Sequence, residues 1–237
     1  MIITFLSDYG PGDEYVGVVH GVIARIAPDV RIIDLGHGVP PQDVRTGARR
    51  LARAVPFTPP GVHLAVVDPG VGTTRRAIVA RVRDRLLVGP DNGLLTLVGP
   101  IDEAFDVSES PWRLEPVSKT FHGRDVFGPV AAHLALGEAP KGVEIYPATL
   151  VRLPELAGKV HVVEVDGFGN LITDAALPER SVRLGGREVT VGQTFGDVAP
   201  GELVIYEDSA GEVAIALNGG SAAALLNLKT GDELELR

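Results

Sequence analysis

The chain predicts an α/β N-terminal domain on a mostly parallel sheet, followed by a smaller all-β, barrel-like C-terminal domain. Three observations predict it. Between residues 2 and 67, short apolar runs alternate with segments of helical period, the order that sets strands side by side and helices over both sheet faces. Past Pro147, short strand-like runs are separated by Gly-, Asp- and Pro-containing turns, as in a small barrel or sandwich. The length, 237 residues, suits one large domain with a smaller companion. The change of texture places the domains at residues 1–152 and 156–237.

The elements follow in order. Residues 2–6 are apolar and β-favouring and end at Ser7-Asp8, with Gly10, Pro11 and Gly12 as a loop. From Tyr15, apolar residues at 15, 18, 19, 22, 23 and 26 trace one helix face. Asp13 is the expected N-cap, and Pro28 stops the helix. Residues 30–35 read as a strand ending in Gly36-His37-Gly38, and a helix over 43–55 presents Val44, Ala48, Leu51 and Val55 on one side. Residues 62–67 form a third strand, closed by Asp68-Pro69-Gly70. Runs at 78–82 and 86–88 flank Arg83-Asp84-Arg85 as an antiparallel hairpin. A helix over 125–136 turns Val126, Phe127, Val130 and Leu134 inward and ends at Gly137. Seven further strands are expected at 160–165, 171–173, 182–184, 188–191, 203–206, 213–217 and 233–236, with a short helix over 221–226.

Charge and composition narrow the function. With 22 basic and 31 acidic residues the formal net charge is −9, which disfavours nucleic acid and anionic membranes as partners. No apolar stretch approaches a membrane span, and the opening MIITFLSDYG lacks the pattern of a secretory signal. A cytoplasmic protein is expected. The absence of cysteine removes disulfides and thiol chemistry. The six histidines, at 20, 37, 63, 122, 133 and 161, show no paired ligand spacing, so no metal is expected.

Four polar, glycine-rich stretches can carry chemistry: residues 7–13, 68–75, 120–125 and 166–170. Asp8, His37 and Asp68 each follow the end of a strand, the rim where ligands gather in parallel sheets. The same residues also suit ordinary turns. The 68–75 loop lacks the Gly-Lys-Ser/Thr of a phosphate loop, and no G-x-S-x-G is present. Read alone, Asp68, Arg75 and His122 fit structural roles as well as catalytic ones.

Taken together, these stretches resemble the S-adenosylmethionine (SAM) hydrolase family, also called SAM hydroxide adenosyltransferases, relatives of the bacterial fluorinase and chlorinase. The resemblance runs through LSDYG…D at 6–13, HGVPPQDVRTGA at 37–48, VVDPGVGTTRR at 66–76, GPDNGLLT at 89–96, TFHGRDVFGPVAAHLA at 120–135, VDGFGNLIT at 165–173 and the tail from Ser209 through NGGSAA. It implies hydrolysis of SAM to adenosine and L-methionine without a cofactor, in a homotrimer with active sites between neighbouring subunits. The implied catalytic triad is Asp68, Arg75 and His122. The implied substrate contacts are Asp8 at the ribose diol, Asp13 near the methionine amine, and Asp166, Phe168 and Asn170 closing over methionine and adenine. Ser209 is implied at the methionine carboxylate, Phe195 against adenine and Gly219 at the base edge. The halogenating relatives carry Tyr, Thr and Ser where this chain has Asp68, Val71 and Gly123, and the fluorinase has a long insertion at Arg83-Asp84-Arg85. A carboxylate repels halide but accepts a proton from water, so these departures favour hydrolysis over the alternative of a halogenase. The intact Asp68, Arg75 and His122 set disfavours the alternative of a SAM-binding sensor without turnover. Ala210 stands where the family often has an arginine.

Overall fold

The computed structural model describes residues 1–236. The chain divides into two compact units, Met1–Leu153 and a second from Pro154 onward.

The first unit opens with β1 (Ile2–Ser7), α1 (Tyr15–Ile26), β2 (Arg31–Gly36), α2 (Val44–Ala54) and β3 (Val62–Val66). It continues with β4 (Ala77–Val82), β5 (Arg85–Pro90), β6 (Glu103–Asp106), α3 (Gly128–Ala135) and β7 (Val143–Ile145). The seven strands lie in the order β2-β1-β3-β5-β4-β6-β7. β1 pairs in parallel with β2 and β3, and β3 with β5. The β4–β5, β4–β6 and β6–β7 pairs are antiparallel. The sheet is therefore mixed, which corrects the expectation of a mostly parallel one. The reason is local: Val82 pairs with Arg85 across a two-residue turn, and so short a connection joins only antiparallel strands.

Both faces of this sheet are covered. Phe5 on β1 packs with Val19 and Ile23 of α1 and with Phe127 and Val130. The adjacent Leu6 points the other way, to Ala48 and Leu51 of α2 and to Leu87 and Leu94. Each large side chain buried here contributes about 1.5–3 kcal/mol.

Two helix starts differ from expectation. Glu14, not Asp13, occupies the N-cap of α1, without a side-chain capping bond, and Asp13 is exposed. The helix expected over 125–136 begins instead as a π turn, Gly123–Phe127, before α3. Pro129 explains the widening. It has no N–H for the Asp125 carbonyl, which accepts from Leu114 N at 2.8 Å instead, while Gly128 N donates to Gly123 O. Asp43, where the expected helix over 43–55 begins, caps α2, with Oδ1 accepting from Thr46 N at 2.9 Å.

The second unit carries β8 (Val160–Val165), β9 (Leu171–Thr173), β10 (Val182–Leu184), β11 (Arg187–Val191), β12 (Leu203–Glu207), β13 (Val213–Leu217), α4 (Ala222–Leu226) and β14 (Glu233–Leu234). The order is β10-β11-β12-β13-β9-β8-β14. Arg183 and Leu184 at one edge and Glu233 and Leu234 at the other line a common cleft. The sheet thus curls until its edges nearly meet, around Val162, Leu171, Val189, Ile205 and Ile215.

Candidate active site

The site starts from the sheet. β1 and β3 are adjacent and parallel, with Ser7 opposite Val66, so the residues just past their ends, Asp8 and Asp68, emerge at one rim. Asp8 N donates to Val66 O at 3.3 Å. Asn92 Nδ2 donates to Val67 O at 2.9 Å and fixes the exit of β3.

Beyond Asp68 the chain doubles back through two turns, closed by Val71 N to Asp68 O and Thr73 N to Gly70 O, each 3.2 Å. Gly72 makes this possible. Its φ of +74° and its contact with the Lys119 carbonyl leave no room for a Cβ. The turns return Arg75 to Asp68. Arg75 Nε donates to Asp68 Oδ1 at 2.8 Å and Nη2 to Oδ2, a bidentate fork. Both side chains are nearly dry, at 10% and 6% exposure. The guanidinium also lies over the Phe127 ring, 5.0 Å from its centroid.

Arg75 Nη2 reaches a third group, His122 Nδ1, at 2.9 Å. A guanidinium only donates, so Nδ1 is the acceptor and, by that network, the imidazole proton resides on Nε2. Burial, with the neighbouring Arg75 cation second, pushes the His122 pKa below its ordinary value. The imidazole is neutral at neutral pH. His122 itself is delivered by the start of the π turn, a feature common at functional sites.

Asp8 Oδ2 accepts from Gln42 N at 2.9 Å. Burial raises its pKa, the backbone hydrogen bonds oppose the rise, and nearby Asp68 adds to it. Tyr9 lies within the electrostatic reach of both carboxylates. Its phenol is pushed up by burial, then by Asp8 and Asp68, so it stays protonated. Its hydroxyl sits where a Cβ on Gly123 would fall. Tyr9, Tyr15 and Phe121 form an aromatic cluster with ring centroids 5.0–5.7 Å apart. The first unit therefore brings together Asp8, Asp68, Arg75 and His122, and leaves Asp13 exposed on the loop before α1. A cavity of about 250 Å³ opens at Arg75 and His122, lined also by Gly72, Thr73, Arg113 and Lys119.

Within the second unit, Asp166 organises the β8–β9 loop. Its Oδ1 accepts from Phe168 N and Asn170 N at 2.9 Å, and its Oδ2 from Asn170 Nδ2 at 2.8 Å. Asn170 is buried while Phe168 is 84% exposed, so the loop is a braced pedestal for a bare aromatic ring. Phe195 packs edge-on against Tyr206 at 5.4 Å. Burial, followed by Asp166 and Asp208, raises the Tyr206 pKa, which places that phenol among the same acidic groups. Ser209 and Gly219 lie on exposed turns. The sequence alone does not single out Tyr9, Asn92 or Tyr206. Tyr9 and Asn92 lie inside the LSDYG and GPDNGLLT stretches, whereas nothing around Tyr206 distinguishes it from a strand aromatic.

Residues 3–144 match the SAM hydroxide adenosyltransferase N-terminal domain and residues 160–235 its C-terminal domain. The chain belongs to this family. It is 50% identical to the (R)-S-adenosyl-L-methionine hydrolase of Salinispora tropica, over 99% of this chain and 97% of that protein. It is 46% identical to the protein of the same name from Thermus thermophilus, over 99% and 98%. Proteins named fluorinase are more distant, at 29% identity for that of Actinopolyspora mzabensis over 97% of this chain and 95% of that one. A crystal structure of an uncharacterized conserved protein from Thermotoga maritima superposes with a TM-score of 0.88 at 38% identity, covering 99% of this chain and all of that one.

Proposed function

We infer that this enzyme hydrolyses S-adenosyl-L-methionine to adenosine and L-methionine, by in-line attack of water on C5′. The observation that carries the reading is the Asp68–Arg75–His122 chain, its Asp68–Arg75 fork nearly dry, at the sheet rim beside Asp8. The hydrolase name shared by relatives at 46–50% identity supports it.

The substrate needs no acid and no cofactor to react, because its sulfonium is already a cationic leaving group. The water oxygen forms a bond to C5′, the C5′–S bond breaks, and its electron pair neutralises sulfur. Positive sulfur and developing hydroxide cancel in the transition state, so a desolvated site favours it. What remains is to hold the water and accept its proton. The hydrogen bonds divide that labour. His122 Nδ1 is occupied by Arg75 and Nε2 already bears a proton, so the imidazole serves as a donor that orients the water. Asp68 is the base. Arg75, clamped on both its oxygens, fixes its direction and stabilises hydroxide character. Such proton transfer is worth about 10²–10⁴-fold.

Asp8 binds the ribose 2′,3′-diol through charged hydrogen bonds and so sets C5′ before the water. Asp13 faces the methionine amine, and Asp166, Phe168 and Asn170 cover methionine and adenine. Phe195 stacks on the base, with Ser209 and Gly219 as polar contacts. The working form is a cytoplasmic homotrimer whose sites lie between neighbouring subunits, with neither nucleic acid nor membrane as a partner. Sulfonium sulfur is stereogenic, and inversion there exchanges the methyl and aminocarboxypropyl arms. We extend to this chain the (R) preference in its relatives' name.

The test is product analysis. Purified protein with SAM, in chloride or fluoride buffer, is expected to release adenosine and methionine in equal amounts, faster from the (R) epimer. Formation of a 5′-halo-5′-deoxyadenosine, or binding without any release of methionine, would overturn the assignment.

A further inference from the structure

Away from the triad, three side chains from three elements converge. His20 on α1, Asp34 on β2 and His37 just after β2 each offer a ligand atom, all within 4.8 Å of one another. Their spacing in the sequence, 14 and 3 residues, announces nothing, because only the packing of α1 on β2 brings them together. His20 Nε2 is 2.9 Å from Asp34 Oδ1, and His37 Nε2 is 3.1 Å from the same oxygen. The first contact is a hydrogen bond. The second is not aligned as one, and His37 Nε2 is buried with no hydrogen-bond partner. A buried polar atom left so is a reason to look for an ion.

The surroundings are those of a ligand set. Ser7 Oγ holds the other ring nitrogen of His37, Nδ1, at 2.8 Å, the outer-shell bond that commonly orients a metal-bound imidazole. The Phe5 ring packs against both imidazoles, at 4.7 and 6.0 Å, and limits their rotation. His37 and Asp34 side chains are 13% and 42% exposed, so one side is walled and the other open to water. We propose that His20, Asp34 and His37 form a binding site for a first-row divalent transition metal such as Zn²⁺, completed by water. Two imidazoles and one carboxylate suit these borderline ions and not Mg²⁺ or Ca²⁺, which take oxygen. The ion replaces the crowded N···O contacts with three bonds of about 2.0–2.2 Å and ties α1 to β2. Because His37 O accepts from Gly10 N at 2.7 Å, it also anchors the loop that carries Asp8. It takes no part in the hydrolysis itself.

The experiment is a Co²⁺ titration of the metal-stripped full chain, followed by visible absorption and by NMR of the histidine rings. One equivalent is expected to give a ligand-field band stronger than that of aqueous Co²⁺, displaced by Zn²⁺ and untouched by Mg²⁺. The His20 and His37 ring signals are expected to shift first, before those of His133 and His161. His20→Ala and Asp34→Asn are expected to weaken binding by more than the roughly 10–100-fold that loss of an outer-shell partner costs. An unchanged aqueous spectrum, equal binding in both variants, or first effects at His133 or His161 would contradict the proposal. The NMR readout needs no variant and stands even if one fails to fold.

Discussion

Arg75 serves two partners at once, so its substitutions separate charge from geometry. Arg75→Lys keeps the cation but loses the planar fork and cannot hold Asp68 and His122 together. It is expected to lower kcat nearly as far as Arg75→Ala, by about 10²–10⁴-fold, with SAM affinity little changed. Asp68→Asn is expected to fall in the same range. Asp8→Ala is expected to act chiefly on KM, the signature of lost ground-state binding. Single-turnover and steady-state kinetics on the four variants distinguish these outcomes. Recovery of wild-type kcat in Arg75→Lys would show that geometry is immaterial. The pH profile follows from the same groups. Burial raises the Asp8 pKa, so the anion proposed to bind the diol is lost, as pH falls, earlier than an ordinary carboxylate would be, and KM is expected to rise first. His122 is held below its ordinary 6.5 by burial and Arg75, so its proposed contribution to kcat is expected to be retained at pH 6.5 and lost only further into acid.

At the level of elements, the turn from His122 into α3 is the most constrained piece. Gly123 is required by the Tyr9 hydroxyl rather than by its own dihedral angles. Gly123→Ala is expected to destabilise the fold by about 1–3 kcal/mol, the usual cost of overpacking, and to lower activity by displacing His122. Tyr9→Phe in the same chain is expected to restore part of both. Denaturant unfolding of the four members of that cycle checks it, and simple additivity would contradict the contact. The same elements show what the sequence can and cannot disclose. β1, β3 and α1 were legible because burial on both faces, or on one helical stripe, leaves an apolar pattern in the chain. The site at the rim was legible as a place, since Asp8 and Asp68 end adjacent strands. The short strands β6 and β7 at one end of the sheet are not legible, because half-exposed segments such as Glu103–Asp106 carry little pattern. The π turn depends on a missing N–H at Pro129 and a distant donor at Leu114, a tertiary exchange that no local period records. Asn92 and Tyr206 matter through contacts formed only after folding.

For the whole molecule, acid stability is governed in part by a residue outside the site. His63, wholly buried in β3, is hydrogen-bonded through Nδ1 to Thr4 Oγ1 at 2.9 Å. Its pKa is lowered from 6.5 to about 4 by burial and then by Arg85. Unfolding exposes an imidazole that binds a proton more readily. The stabilisation is therefore complete above pH 6.5 and is lost as pH falls toward 4, by an amount on the order of 3 kcal/mol. His63→Gln is expected to lower stability at neutral pH but to flatten this slope, as read by unfolding free energies across the range. An unchanged slope would show that His63 is not the responsible group. Assembly is tested by light scattering: the proposed trimer requires three times the chain mass of 24.9 kDa.

The most direct measurement is turnover of SAM in water enriched in oxygen-18, with mass analysis of the nucleoside. Attack of water on the ribose carbon beside sulfur places the heavy oxygen at the 5′ position of adenosine, and Asp68→Asn suppresses its formation. Unlabelled adenosine, or labelled product made at an undiminished rate by that variant, would contradict a water nucleophile activated by Asp68.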